Sequence, residues 1–490
     1  MTRGIDRAIC AASLVVALLA LFAAVRWTRE HPWPMWFDEA NYVIQVFDDR
    51  QAFLRGGPIA LLKSLVFADS VRPPAYRALA APIAAATLPS LTLLRMLALG
   101  VTMAALVLLW RACRAVASLP SSLLATAMVF ATPGVLASGA WYGTEYPLMF
   151  AIAWLLHAIV RRSPVGVAGA MALGLLAKTT FVFIGAPAML LALIAGRHDP
   201  KEIRRLLIAS ACGVIVALSW WGWHVASGLE FAQYGRTYQR AAIAAPLSFP
   251  AFGTKLRILI LGIGIPFVVA IALLLLRRAE AMSSEARRAV LVATAAVVPL
   301  VLVAMLSPVF VLRHFAPALL ALALPLAVML DRARPAIRVA VATLALIQGA
   351  TIGASLPQVD HTDWTRLRDV IPEPSPRIAF LGGWPSLSQP EIRYDFMRDG
   401  KGDVAATWLW RSDEGEIDWA TAMREVMRSD AVLVIPPAAL LTRTDYERQD
   451  NLHNAELISR VRATGAFEEA VPFRIGTLEP VDALLFKHLR

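Results

Sequence analysis

Apolar residues run through this chain in long blocks, without the short alternation of a soluble core. Such blocks lie at about 8–25, 91–110, 121–139, 147–160, 164–177, 180–196, 206–226, 256–276, 289–306, 314–331 and 337–355. A bilayer core takes roughly 20 helical residues to cross, and a helix that is apolar on all faces must be buried or lie in lipid. The pattern predicts about eleven transmembrane helices. The first block is about 18 residues long, beyond the roughly 7–15 of a signal-peptide core, and reads as an uncleaved first span.

The pattern changes in two places. Residues 26–90 mix aromatics, prolines and both charge signs, and the segment from Ala75 to Leu88 is apolar but short. It follows a Pro-Pro pair and reads as an interfacial helix. Beyond residue 355, RIAFLGGW (Arg377–Trp384), DVAATWLW (Asp403–Trp410) and AVLVIPP (Ala431–Pro437) are strand-like and alternate with helical stretches at about 386–399, 418–429 and 443–464. That alternation predicts a small α/β domain. Gly382 and Gly383 read as an ordinary strand-to-helix loop in preference to an anion-binding turn. The expected organisation is an all-α polytopic membrane domain over 1–355, with a long first outer loop at 26–90, and an extracytoplasmic α/β domain over 356–490.

Composition agrees. Of 490 residues 58% are hydrophobic and 17% charged, against about 25% charged in soluble domains. A soluble enzyme, a disordered chain and a disulfide scaffold are excluded, and Cys10, Cys113 and Cys212 form no framework. The net charge of +11 is split: residues 356–490 hold 16 basic and 22 acidic groups, a net of −6, and the rest of the chain is +17. Arginine and lysine concentrate in alternate loops, at positions such as Arg111, Arg114, Arg161, Arg162, Arg287 and Arg288. The positive-inside rule places those loops and the N-terminus in the cytoplasm. An odd number of spans then puts loop 26–90 and the tail outside. The basic residues form no single patch, so nucleic acid is not an expected partner.

The outer side carries the candidate chemistry. Asp38 and Glu39 lie in WFDEANY, where Trp36 and Tyr42 suit the bilayer interface. Paired carboxylates there can serve as a general base or hold a divalent metal ion. Arg72 precedes the Pro-Pro pair in RPPAY, with Tyr76 at its end, and a guanidinium there can clamp a phosphate. Glu145, in WYGTEY after Trp141, is the only acidic residue between Asp69 and Asp199. So close to hydrocarbon, it is a functional candidate by default. Lys178 ends GLLAK on the same side and can neutralise a phosphate or pair with Glu145. Arg313 and His314 lie in another outer loop. The acids would activate a hydroxyl or, at Asp38 and Glu145, hold an ion. The bases would stabilise a phosphate leaving group. No nucleotide-binding fingerprint appears.

The order of these motifs resembles the GT-C superfamily of membrane glycosyltransferases, in the branch akin to protein O-mannosyltransferases and the lipid A aminoarabinose transferase. The resemblance rests on WFDEANY, RPPAY, LLRMLALG, Glu145, GLLAK and LRHFAPALLALALP, and covers residues 1 to about 330. It implies a polyprenyl-phosphate sugar donor, an acceptor that is an envelope glycan, glycolipid or protein, and inverting transfer at the outer face of a bacterial inner membrane. It matches Asp38 to the family's catalytic acid and Glu39 to that acid's neighbour. Arg72 stands where a lysine or histidine is common. Glu145 stands where the family often has an aspartate or another acid, which leaves metal use open. Arg72, Lys178 and Arg313 would bind the donor phosphate, and Trp36, Tyr42, Tyr76, Trp141 and His314 would line the substrate. A lipid or glycan transporter explains the spans but not the acidic outer loop. A scaffold that binds an envelope partner through its tail is the third reading.

Overall fold

The computed structural model describes residues 2–35, 37–242, 249–275, 282–306, 312–371, 375–384, 386–398, 402–411, 416–437, 450–478 and 480–489, with backbone alone for Thr2, 231–242 and 249–251. The chain divides into two compact units. One comprises residues 1–30, 62–80 and 92–357, the other 31–61, 81–91 and 358–490.

The first unit is helical. Six described helices are long and apolar enough to cross a bilayer: Arg3–Glu30, Leu91–Arg114, Pro200–Glu230, Ser284–Met305, Leu312–Asp331 and Pro335–Ser355. Two further apolar stretches are bent pairs, Leu119–Phe130 with Pro133–Ala140 at 69° and Phe252–Ile263 with Ile265–Leu275 at 91°. Glu145–Val160, Pro164–Ala177 and Thr179–Ala195 are shorter apolar helices. These elements fall on the eleven apolar blocks of the sequence. Two of these blocks are broken, one at Pro133 and the other at Gly264, which has φ +91°.

A break inside a membrane strands backbone groups that lipid cannot satisfy. One side chain serves both breaks. Gln348, 2% exposed on the helix Pro335–Thr351, donates from Nε2 to the carbonyl of Ala131 at 2.8 Å, and its Oε1 accepts from the N–H of Phe267 at 3.1 Å. A Cβ on residue 264 would lie 2.8 Å from Gln348 Oε1. Glycine is therefore required there twice, for its backbone angle and for this approach. Arg95 is fully buried with its guanidinium 4.5 Å from the ring of Trp27, and Trp27 donates to the carbonyl of Pro357 at 2.7 Å.

The second unit is built on a five-stranded sheet in the order β2-β1-β3-β5-β4. The strands are β1 (Arg377–Leu381), β2 (Ala405–Trp408), β3 (Ala431–Val434), β4 (Val471–Ile475) and β5 (Val481–Lys487). β1 runs parallel to β2 and β3, whereas β5 is antiparallel to β3 and to β4. Side chains alternate across it: Ile378, Phe380, Leu433 and Leu485 enter one core, and Ala379, Leu381, Val432 and Phe486 the other. The helices Gln389–Arg398, Trp419–Arg428 and Asn454–Ala463 follow β1, β2 and β3 in turn. The antiparallel pair β4–β5 is an addition to the sequence reading. β4 is an edge strand with Pro472 exposed, where a missing N–H is tolerated.

The outer-loop segments 31–61 and 81–91 belong to this unit and not to the helical one. Named bonds explain this. Tyr394 donates its hydroxyl to the carbonyl of Pro32 at 3.0 Å, Trp33 stacks on His361 with centroids 3.7 Å apart, and Arg393 pairs with Asp403 at 2.7 Å and Asp48 at 3.6 Å. Arg50 donates to the carbonyls of Thr87 at 2.7 Å and Ala84 at 3.1 Å. The turn after β1 behaves as an ordinary loop: Asn451 donates to the carbonyl of Gly383 at 3.1 Å, and Asn454 to that of Ile435 at 2.8 Å.

Candidate active site

In the helical unit, the stretch WYGTEY joins the bent pair ending at Ala140 to the helix Glu145–Val160. Glu145 opens that helix and is 1% exposed. Lys178 follows the helix Pro164–Ala177, and its Nζ lies 2.5 Å from Glu145 Oε1. A carboxylate this deep requires a cation, and the two candidates read from sequence supply one another. Oε2 of Glu145 has no hydrogen-bond partner, nor have the buried hydroxyls of Thr144 and Thr180 beside the pair. Buried polar atoms are seldom left so unless a ligand or water reaches them.

Trp141, 1% exposed, carries the guanidinium of Arg313 at 5.1 Å from its ring, a cation–π distance. A Cβ on Gly143 would lie 2.8 Å from Glu145 Oε2 and 2.9 Å from the Trp141 ring. The absence of a side chain at 143 thus lets the Arg313–Trp141 stack and the Glu145–Lys178 pair close on one another. Three candidates from distant parts of the sequence, Glu145, Lys178 and Arg313, are brought into one cluster.

Tyr76 is fully buried, and its carbonyl accepts the hydroxyls of Tyr142 at 3.0 Å and Tyr146 at 2.9 Å. Its part in this structure is to bolt the helix Ala75–Ala86 to WYGTEY. Arg72 sits just before that helix in a turn capped by Asp69, whose Oδ1 accepts from the N–H groups of Val71 at 2.8 Å and Arg72 at 2.9 Å. Asp69 Oδ2 lies 3.4 Å from the Arg72 guanidinium. His314 is half-buried in the short helix Leu312–Phe315. Tyr142, Tyr146, Gly143 and Asp69 are not among the candidates singled out from the sequence. The signal for the tyrosines was the crowding of aromatics in WYGTEY and RPPAY.

In the second unit, Asp38 and Glu39 occupy the first turn of the helix Phe37–Phe67, which is broken at Gly56-Gly57. Glu39 is fully buried and accepts from the N–H of Met35 at 2.7 Å, as a carboxylate at the third helical position does when it caps its own helix. Asp38 is half-buried beside it, and Tyr42 is buried one turn on. Trp36 lies outside the described residues. Among the described residues no three His, Cys, Asp or Glu side chains converge as metal ligands. Glu145 faces the ammonium of Lys178.

Searches against protein-family models and against curated protein sequences find no match. Solved structures do match, among them two of one protein. Apo ArnT from Cupriavidus metallidurans aligns with a TM-score of 0.61 at 12% identity, covering 100% of this chain and 98% of that one. The same protein bound to undecaprenyl phosphate aligns at 0.58 and 12% identity, covering 100% and 99%. Over its whole length, the chain has the fold seen in ArnT.

Proposed function

We propose that the protein is an integral-membrane glycosyltransferase that moves a sugar from a polyprenyl-phosphate carrier to an envelope glycan, glycolipid or protein. The observation that carries this reading is the buried Glu145–Lys178 pair with Arg313 beside it, on a fold whose neighbour ArnT has a structure bound to undecaprenyl phosphate. The cluster offers two cations at the membrane end of the helices, where a lipid phosphate would sit. Its acid leaves one oxygen free for a polar group.

The reaction is an inverting displacement. An acceptor hydroxyl attacks the anomeric carbon as the bond from that carbon to the phosphate oxygen breaks, through an oxocarbenium-like transition state. Asp38 takes the hydroxyl proton, and polyprenyl phosphate leaves with the electron pair. Arg72, Lys178 and Arg313 meet its charge. Trp36, Tyr42, Tyr76, Trp141 and His314 would shape the surroundings. The transfer is assigned to the outer face of a bacterial inner membrane.

A general base contributes about 10²–10⁴-fold, so Asp38→Asn should lower turnover by about that factor. The assay incubates purified protein with a sugar-loaded polyprenyl phosphate and follows free polyprenyl phosphate by mass spectrometry. Full activity in both Asp38→Asn and Asp38→Ala proteins would sink the assignment of the base. The broken spans favour a second reading, since discontinuous helices mark many transporters. A transporter would leave the sugar–phosphate bond of the donor intact in the same assay.

A further inference from the structure

The helices that present Glu145 and Lys178 at one end carry a different feature at the other. There the loop after Leu91–Arg114, the turn after Glu145–Val160 and the start of Ser284–Leu306 surround an open cavity of about 340 Å³. Arg161, Arg162 and Arg288 line it together with Glu285, and Ala115, Val116, Ile159, Val160 and Ala289 supply an apolar wall.

Three observations make this more than a basic loop. Arg162 has φ +53°, the only described non-glycine residue with positive φ. It sits just past a helix C-terminus, where glycine is the ordinary choice. An arginine there accepts backbone strain in return for its side chain. Arg288 is mostly buried, with 14% of its side chain exposed, and its Nε has no hydrogen-bond partner. Its Nη2 lies 2.5 Å from Glu202 Oε1. Arg161 makes no ion pair among the described residues, and Glu285 reaches Arg162 only at 4.0 Å while 72% exposed. The cavity therefore holds guanidinium groups with donors to spare.

The geometry points to a binding site for the phosphate of an anionic phospholipid, on the membrane face opposite the Glu145–Lys178 cluster. Guanidinium groups match phosphate oxygens in pairs. The apolar wall suits the glycerol and first acyl carbons, and basic pockets between membrane helices are known seats for anionic headgroups. This inference is independent of the reaction proposed above.

The test uses the full chain in detergent, delipidated and then offered phosphatidylglycerol, phosphatidylcholine or inorganic phosphate. Bound lipid is counted by native mass spectrometry, and thermal unfolding is followed in parallel. Wild-type protein should retain phosphatidylglycerol over phosphatidylcholine. Arg162→Gly should weaken that retention roughly fivefold, and removal of Arg161 as well by a similar factor again. Glycine suits the backbone at 162, so Arg162→Gly should unfold no earlier than wild type in phosphatidylcholine. Equal retention by wild type and Arg162→Gly would overturn the site. Stabilisation by inorganic phosphate equal to that by phosphatidylglycerol would overturn its assignment to lipid.

Discussion

Each unit buries a glutamate at the start of a helix, and the two are held in opposite ways. Glu145 opens a membrane helix and meets the ammonium of Lys178 at 2.5 Å. Glu391 lies in the first turn of Gln389–Arg398 and meets a hydroxyl: Ser388 donates to its Oε2 at 2.7 Å and accepts from its N–H at 3.3 Å. Residues 388–391, Ser-Gln-Pro-Glu, form a capping-box pattern. Burial pushes the Glu391 carboxyl up to about 8, and the negative charges of Asp360 and Asp395 add to the rise. One acid is sited against the ammonium of Lys178. The other is sited to hold its proton and cap a helix. A buried carboxylate is thus no functional signal by itself; its partner decides what it is for.

The sharpest way to break the comparison is to take the cation from Glu145. Lys178→Met leaves a carboxylate buried without its counter-ion, and losing one partner of a buried pair costs about 3–5 kcal/mol. The expected outcome is poor yield and early thermal unfolding in detergent. Combining it with Glu145→Leu should return most of the stability, since a matched apolar pair is nearly neutral, while leaving the protein inactive in donor cleavage. A double variant as unstable as Lys178→Met would mean that the pair is not the origin of the loss.

Gln348 is the uncharged counterpart. Gln348→Leu keeps the volume but strands the Ala131 carbonyl inside the bilayer, while the Phe267 N–H keeps only the Gly264 carbonyl at 3.1 Å. At about 1–3 kcal/mol for a stranded group, the loss should be of that size, measured by thermal unfolding. Gln348→Glu keeps an acceptor for Phe267 but sets a carboxylate against the Ala131 carbonyl with no cation beside it, and should be the more damaging of the two.

Glu391 sharpens the comparison through pH. Its folded-state value is raised, so the folded protein binds the proton more tightly than the unfolded chain. The stabilisation is complete below the ordinary carboxyl value near 4.5 and is lost as pH rises through about 8. Glu391→Gln should remove that slope and stabilise the second unit at pH 8 by on the order of 2 kcal/mol. Tryptophan fluorescence on heating between pH 6 and 9 reads this, since Trp364 and Trp384 lie in the same core. An unchanged slope would show that Glu391 is not the titrating group.

What could be read from residue order divides along physical lines. Apolar length is a one-dimensional property, so the eleven blocks emerge directly, as do the three parallel strands with their helices. The breaks at Thr132-Pro133 and Gly264 depend on a partner more than 80 residues further on, and nothing local announces Gln348 as that partner. β4 and β5 escaped because each alone is a weak amphipathic run, given shape only by pairing with its neighbour. Glu145 and Lys178 were legible for the reason that makes them matter: charge is so scarce in these helices that two opposite charges at the same depth had few alternatives. The boundary of the outer loop was not legible. The contacts of Trp33, Asp48 and Arg50 that draw it into the sheet-bearing unit follow from no pattern in 26–90.

The tyrosine bolt gives the smallest and most specific effect. Tyr142 and Tyr146 place both hydroxyls on one oxygen, the carbonyl of Tyr76. A carbonyl has two lone pairs, so both bonds can form, but each draws on the same partial charge. When one hydroxyl is removed, the remaining bond should strengthen. Tyr142→Phe or Tyr146→Phe should therefore cost only about 0.5–1 kcal/mol, because the ring stays packed. The double variant should cost more than the sum of the two. The Glu145 loop would then lose its tie to Tyr76 and keep the Lys178 and Arg313 contacts, and donor cleavage should fall further in the double variant than stability explains. Strict additivity in thermal unfolding would mean that the two hydroxyls act separately on the Tyr76 carbonyl.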